Sequence, residues 1–473
     1  MVKPNFKVII AGAGSSGLLL ARNLARSGIK VLVYERNEED FHAHNWSDAV
    51  EFAALEKAGF EMPSLIDGEY KGRLVKEQEI DDRLFESHRV NPLQILSPDL
   101  KYRTKTDVDF KYITTDRVSL NKILLREAKE AGANVIYNHT ALKLIGDIDK
   151  DLEGIKIKGV SIKNNDTKEV FDAYADIVVD ATGHISALRT QFINSSSIGK
   201  KYTENDLAYA YRTVRKVNKD MLGTDSIPDH YRYGAYKGYF WTHFHRDDVI
   251  DVGGGVKCGP GRVEPEKIVD ETISSHPAIT SEEIRGGGGL VLVGKSPYSI
   301  TASGFLAVGD SAGQVVPTTG CGVGGGLMGA MLASDTIIEC SKTKDSSIKY
   351  LWDYNWKWFA DSKRGANLAA LSALKEILID LSHDDLSYLI KKDVLSGEML
   401  TPSINGVFYT PNAGAMIKTL FKGIGKPSLL SELNKASNIG KKIYNHYLNY
   451  PRYWDKNEFK KWESKSEQYF SSI

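Results

Sequence analysis

A chain of 473 residues is too long for one ordinary hydrophobic core, so two domains with additions are expected. Its 61 Lys and Arg balance 61 Asp and Glu, so no net field draws it to nucleic acid or to an anionic membrane. The 42% hydrophobic and 26% charged residues are those of a soluble globular protein, with no apolar run long enough to span a bilayer and no signal-peptide layout at the N-terminus. Three cysteines, Cys258, Cys321 and Cys340, are too sparse for a disulfide framework and lack metal-ligand spacing, which points to a reducing, cytoplasmic setting.

The N-terminus reads as strand, glycine turn, helix, strand and acid. Val8 to Ala11 is a short continuous apolar run, as a fully buried parallel strand requires. In the loop that carries Ser16, Gly12 permits the tight turn, Gly14 lets backbone approach a pyrophosphate, and Gly17 lets the helix pack closely on the strand. Phosphates would sit at the helix N-terminus, where unpaired N–H groups and the dipole favour negative charge. Gly28 stops the helix. Glu35, next to Arg36 and 18 positions beyond Gly17, ends the second strand where a carboxylate can accept from a ribose hydroxyl.

Residues 37–113 leave this order, with a helix predicted around 49–59 and short strand-like pieces such as 70–75, an excursion into a second domain. Asp116 and Arg117 open a helix running to Gly132, and a strand at 134–137 follows; Arg117 either meets a phosphate or cofactor edge or stays solvated. Residues 141–175 read as antiparallel strands with a polar turn at Asn164, Asn165 and Asp166. Next comes an apolar strand closing on Asp180, Ala181, Thr182 and Gly183, where backbone can pass close to a ligand. The design recurs at Gly309 and Asp310, whose carboxylate is delivered to a strand end. Pro317, Gly320, Cys321 and Gly322 then lead into a helix from Val323 to about Glu339. Gly324, Gly325 and Gly326 leave the start of that helix almost free of side chains, exposing its N–H groups to something flat and electron-rich.

Residues 201–300 read as a sheet domain, with strands at 207–215, 238–244 and 249–256 rich in aromatic and β-branched residues. Gly253 to Gly255 and Gly286 to Gly289 are predicted as loops and bulges. His42 with His44 and His243 with His245 form two His-x-His pairs, but no cluster of acids or cysteines accompanies either, so no metal site is expected. From Thr343 the composition turns helical. Tyr350, Leu351, Trp352, Tyr354, Trp356, Trp358 and Phe359 are apolar all round their helix, Leu371, Leu374, Leu378 and Leu381 recur at helical spacing, and Ser382 with Asp385 forms a capping box. Residues 416–426 form a small basic amphipathic piece, with Leu420 and Phe421 among Lys418, Lys422 and Lys426. It is read as either a surface helix or a peripheral membrane contact.

The fingerprint with Glu35, the Asp116-Arg117 helix start, Asp180 to Gly183, and Gly309-Asp310 with Pro317, Gly320 and Gly322 together resemble the p-hydroxybenzoate hydroxylase-like flavoproteins. The run Tyr239-Phe240-Trp241-Thr242-His243-Phe244 resembles the aromatic substrate motif Tyr-x-Trp-x-Phe-Pro of the geranylgeranyl reductase family. It departs by one extra residue before Phe244 and by His245 in place of proline. The early Pro-x-x-Cys-Gly loop of that family is replaced by His42-Ala43-His44-Asn45-Trp46-Ser47-Asp48, which leaves Cys321 without its expected partner.

The resemblance implies an α/β fold with an α+β second domain. A Rossmann-like FAD-binding domain would occupy 1–70, 110–190 and 296–342, a mixed-sheet substrate domain 71–109 and 191–295, and a helical C-terminal region 343–473. It implies FAD rather than NAD, held by Gly12, Gly14, Ser16, Gly17, Glu35, Arg36, Arg117, Asp180, Gly183, Gly309, Asp310, Pro317, Gly320, Gly322 and Val323. It further implies reduction of isolated carbon–carbon double bonds in a geranylgeranyl or related isoprenoid chain, with NAD(P)H or ferredoxin as external electron donor. Tyr239, Trp241 and Phe244 would line the substrate channel, Cys321 would sit near the ring, and Tyr239 or His243 would supply a proton. The same cofactor motifs also suit a monooxygenase or halogenase, and a prenyl-lipid carrier without catalysis is a third reading.

Overall fold

The computed structural model describes residues 6–41, 43–62, 64–66, 69–71, 94–105, 112–222, 230–246, 248–409 and 425–473. His42, Val75 and residues 416–424 lie outside them. The first layer is a six-stranded sheet in the order Thr301–Ala302, Phe305–Ala307, Ile177–Asp180, Lys7–Ala11, Lys30–Tyr34, Asn134–Ile136, parallel throughout except at the Thr301–Ala302 edge. Val8, Ile9 and Ile10 are fully buried because the central strand is covered on both faces, which is why it reads as an unbroken apolar run. Helix Ser15–Arg26 packs against helices Arg117–Glu130 and Val323–Thr343. Asp116 caps the first of these two, accepting from the Ser119 N–H at 2.7 Å, a contact worth about 1 kcal/mol.

Where the sequence predicts a helix over 49–59, Ser47–Glu51 is instead a strand paired with Tyr112–Asp116, and the helix is only Phe52–Lys57. Cross-strand pairing overrides local helix preference there. Strands His139–Asp147, Lys156–Asn164 and Val170–Tyr174 form a separate antiparallel sheet.

The second layer is a seven-stranded sheet in the order Ile279–Leu292, Leu207–Val217, Val249–Lys257, Gly238–Arg246, His230–Tyr233, Gln94–Leu96, Arg103–Lys105. The glycines expected in loops are inside its strands: Gly253 to Gly255 lie in Val249–Lys257 and Gly286 to Gly289 in Ile279–Leu292. The reason is side-chain packing. Trp241 is the register partner of Gly253 and Phe240 of Gly254. A Cβ at Gly253 would stand 2.3 Å from the Trp241 ring, and one at Gly254 would stand 2.1 Å from the Phe240 ring on the opposite face. Each aromatic lies down on a strand that has no side chain to hold it off.

The C-terminal region is helical, with Ile348–Trp356, Arg364–Leu378, His383–Lys391, Gly397–Ile404, Pro427–Leu448 and Lys456–Phe470. Trp352, Tyr354, Trp358 and Phe359 are fully buried, while Tyr350 faces out. Trp352 stacks on Tyr450 at 5.3 Å and meets Phe459 edge-on at 4.9 Å, which clamps the last two helices to the body. Ser382 caps the helix His383–Lys391 by accepting from the Asp385 N–H at 3.1 Å. Lys426, at the end of the basic piece, is tied to Asp385 at 2.6 Å. Among the described residues no helix is long and apolar enough to cross a membrane.

Candidate active site

The first strand delivers Gly12 at φ +107°, and a Cβ there would fall 2.3 Å from the Ala181 carbonyl oxygen. A Cβ at Gly17 would stand just as close to the Gly12 carbonyl oxygen, at 2.2 Å. Gly14 differs: a Cβ there would meet nothing within 4 Å, so its face is open to a ligand. No side chain caps helix Ser15–Arg26, which leaves its first N–H groups available to an anion. Ser16 is wedged between Gly309 and Gly326, where added Cβ atoms would lie 2.8 and 2.2 Å from its Oγ. Glu35 reaches back to the loop, accepting from the Ala13 N–H at 2.7 Å and from the Asn37 side chain at 2.8 Å. Arg36 is exposed. Arg117 pairs with Asp48 at 3.4 Å and lies 5.9 Å over the Trp46 ring, so the segment standing in place of the cysteine loop folds onto it.

Asp180 and Asp310 end neighbouring strands and are not equivalent. The Asp180 carboxylate is fully buried and accepts from the Thr182 N–H and Oγ1, the Leu188 and Arg189 N–H groups, and Ser311 Oγ, at 2.7 to 3.0 Å. It clamps the loop beyond Gly183, itself at φ +73°, and has no lone pair left to offer a cofactor. That corrects the expectation that it touches the cofactor directly. Asp310 is half-buried, and among the described residues its carboxylate accepts no hydrogen bond. Burial holds its carboxyl above the usual range, with Arg117 opposing.

From there the chain turns through Gly309 at φ +66° and Gly320 at φ +74° into helix Val323–Thr343. Gly322 is its N-cap, without a side-chain cap, and a Cβ there would sit 2.7 Å from Asp310 Oδ1. A bare helix start beside an unpartnered carboxylate, facing the open loop at Gly14, fits a flavin dinucleotide: hydroxyls for the acid, phosphates for one helix start and a polarised ring edge for the other. Cys321 lies in this turn. Burial pushes its thiol up to about 12, so it is neutral and not a nucleophilic thiolate.

The aromatic strand Gly238–Arg246 faces the same turn. The Tyr239 hydroxyl donates to the Thr319 carbonyl at 2.6 Å, and burial raises this phenol well above its ordinary value. Tyr231, Tyr233, Tyr239 and Trp241 form a stacked group with ring centroids 5.0 to 6.4 Å apart. Trp241 Nε1 donates to Asp251 at 3.1 Å, and Asp251 also pairs with Arg212 and, at 3.4 Å, with His245. His243 shares the Trp241 face by strand alternation, its ring 5.9 Å from that of His245.

Phe244 does not line the channel. It packs on the opposite face, against the core of Val217, Ile250, Val252 and Val269. The extra residue before it changes its parity along the strand, and a one-residue slip moves a side chain to the other face.

A cavity of about 180 Å³ opens between this sheet, the Pro317 to Gly320 turn and the C-terminal helices. Tyr239, Trp241 and Tyr233 form one wall, Ala208, Ala210 and Gly255 a side-chain-poor floor, and Leu374, Leu378, Leu386, Ile390, Leu395 and Leu400 the far side. Among the described residues its charged lining residues are Lys237, Lys257 and Lys375, the first paired with Asp380 and the other two with Glu376. The far wall was missed in the sequence. The spacing of Leu374 and Leu378 marks a buried helix face, but nothing local distinguishes burial against protein from burial against a ligand.

Residues 5–192 match the FAD binding domain family. The chain is 26% identical over 457 residues to a digeranylgeranylglycerophospholipid reductase of Sulfolobus acidocaldarius, covering 96% of this chain and 95% of that one. It is 26% identical over 407 residues to the protein of the same name from Thermoplasma acidophilum, covering 84% and 93%. Among solved structures, a geranylgeranyl bacteriochlorophyll reductase-like protein of Thermoplasma acidophilum superposes with a TM-score of 0.68 at 23% identity, over 91% of this chain and 99% of that one. A flavin-dependent brominase shares the fold more distantly, with a TM-score of 0.55 at 14% identity over 89% and 98% of the two chains. The chain thus has the p-hydroxybenzoate hydroxylase-like flavoprotein fold, is an FAD-dependent oxidoreductase, and is similar over nearly its whole length to proteins named digeranylgeranylglycerophospholipid reductase.

Proposed function

We infer that this enzyme reduces isolated carbon–carbon double bonds in the geranylgeranyl chains of a lipid with an anionic headgroup. The observation that carries the reading is the cavity: apolar along its length and bounded at one end by the turn beside the cofactor helix. FAD, when reduced, supplies the hydride. Gly12, Gly14, Ser16 and Gly17 would seat its phosphates, Asp310 its hydroxyls, and the N–H groups from Gly322 and Val323 onward its ring edge.

The chain's own task is to bind the isoprenoid, exclude water and hold a proton. Tyr239 and Trp241 give the chain a flat wall, and the leucine side gives it an apolar face opposite. Lys237, whose pairing with Asp380 is exposed, suits a phosphate-bearing headgroup, while Lys257 and Lys375 are already held by Glu376. For the proton, Tyr239 and Cys321 both remain protonated at neutral pH because of burial, and His243 lies on the same sheet face as Tyr239. A long prenyl lipid is insoluble, so access from a membrane surface follows from the substrate, with the donor of electrons an external reductant.

The test is incubation of the purified FAD-loaded protein with a digeranylgeranyl phospholipid and dithionite, followed by mass spectrometry. Mass gains of two per double bond are expected. An oxygenated or halogenated product under aerobic conditions, without saturation, would sink the reading in favour of the monooxygenase or halogenase chemistry found on this fold.

A further inference from the structure

The cavity wall contributed by Leu400, Ser403 and Ile404 belongs to helix Gly397–Ile404, which is fastened to the cofactor side by contacts that the chemistry above does not use. Arg364, the first residue of helix Arg364–Leu378, is only 13% exposed and pairs through Nη2 with Glu51, itself 16% exposed at the end of strand Ser47–Glu51. Its Nη1 donates to the Asn405 carbonyl at 3.4 Å. The Tyr112 hydroxyl lies 3.0 Å from Glu51 Oε1 and 3.4 Å from the Ile404 carbonyl.

Three further details place this cluster at the cofactor end. Gly406, at φ +67°, rests on the guanidinium, where a Cβ would be 3.3 Å from Arg364 Cζ and 3.0 Å from Val316 Cγ2. Thr318 Oγ1 donates to the Ser403 carbonyl at 3.0 Å. Glu51 also borders the bare helix start, its Cδ 3.5 Å from where a Gly324 Cβ would stand. A largely buried ion pair contributes little net stability, and its loss on one side is costly because the other charge remains. What such a pair does supply is a fixed relation between the elements it joins.

We propose that Arg364 is a positioning residue which, with Glu51 and Tyr112, latches helix Gly397–Ile404 against the Pro317 to Gly322 turn and so fixes the width of the cavity where the chain meets the cofactor. The inference rests on reading that cavity as the isoprenoid site. Trimming Arg364 frees the wall while leaving the phosphate loop at Gly12 to Gly17 and the aromatic wall in place.

The experiment is hydrogen exchange by mass spectrometry on the full, FAD-loaded protein, comparing wild type with Arg364→Met, Arg364→Lys, Glu51→Gln and the Glu51→Gln, Arg364→Met double variant. Amides 400, 401 and 403–406 should exchange about 100-fold faster in Arg364→Met, with helix Lys456–Phe470 unchanged. The double variant should add less than about 3-fold to that, since the two residues act as one contact. Arg364→Lys, which retains the charge but not the fork, should fall between. Wild-type exchange in Arg364→Met, multiplicative effects in the double variant, or equal loosening of the C-terminal helix overturns the latch. Geranylgeraniol binding, followed by calorimetry, should weaken about 10-fold in Arg364→Met. Should wild type bind no geranylgeraniol while the exchange pattern holds, the latch stands and the isoprenoid reading falls.

Discussion

The cofactor half and the cavity half of this molecule both depend on glycine, for opposite reasons. Gly12 and Gly17 are required by backbone: carbonyl oxygens stand where their Cβ atoms would be, and Gly12 has a left-handed φ besides. Gly253 and Gly254 sit in ordinary extended strand and are required by neighbouring aromatic side chains. The left-handed φ at Gly12 and the contact of Gly17 with Gly12 are local in sequence and follow from the turn, although Gly12 also meets Ala181 on the neighbouring strand. The demand at Gly253 and Gly254 is made across a sheet by residues about a dozen positions away, and only the fold reveals it.

The sharpest way to break the comparison is Gly12→Val. Strain and a backbone collision together should cost about 4 kcal/mol, with loss of bound FAD, read from the flavin-to-protein absorbance ratio and thermal unfolding. Normal flavin content would show that the turn can be rebuilt. Asp180→Ala comes next, at about 3 kcal/mol, because it strands buried donors, and it should lower the melting temperature of the protein even when FAD has been stripped. Asp310→Ala should instead leave the apoprotein melting where wild type does and weaken FAD by about 2 kcal/mol, measured by titration. Identical behaviour of the two variants would erase the distinction between clamp and ligand.

In the cavity half, Gly254→Val should cost about 2 kcal/mol, and Phe240→Ala in the same chain should restore much of it, because the collision is with that ring. Failure of that rescue would mean that the strand backbone itself needs glycine. Trp241→Ala should keep FAD and raise the KM for a prenyl lipid, whereas Phe244→Ala should lower stability with KM unchanged, since it faces the other way. A pH-dependent effect concerns Lys295, which lies 3.9 Å over the Tyr298 ring. Burial, and then Lys200, lowers it to about 7. The unfolded chain binds this proton up to its ordinary range, so the stability contribution of this residue rises with pH above about 7. Relative to wild type, Lys295→Met should therefore stabilise most near pH 6 and least near pH 9; a difference independent of pH would remove the lysine from the account.

The cofactor half was legible because each of its signals is a contiguous stretch: the apolar run before Gly12, the acid at Glu35, the glycines after Gly322. The Asp116 helix start and the capping at Ser382 were legible for the same reason. Asp180 was read as a ligand because its place at a strand end matches that of Asp310, and only the five donors folded round it show otherwise. Strand Ser47–Glu51 was hidden because its partner, Tyr112–Asp116, is far along the chain. Phe244 was misplaced because a motif was matched by residue type, when an inserted residue had already turned it to the other face.

The hydroxyl of Tyr239 is at once part of the cavity wall and a donor to the carbonyl of Thr319 in the turn that opens the cofactor helix. An occupant that pushes the ring aside must therefore also move, or release, that carbonyl. Binding on the two sides is then linked by a shared free energy: whatever factor a bound chain applies to the hold on FAD, bound FAD applies equally to the hold on the chain. A single phenol thus ties the wall of the cavity to the turn that opens the cofactor helix.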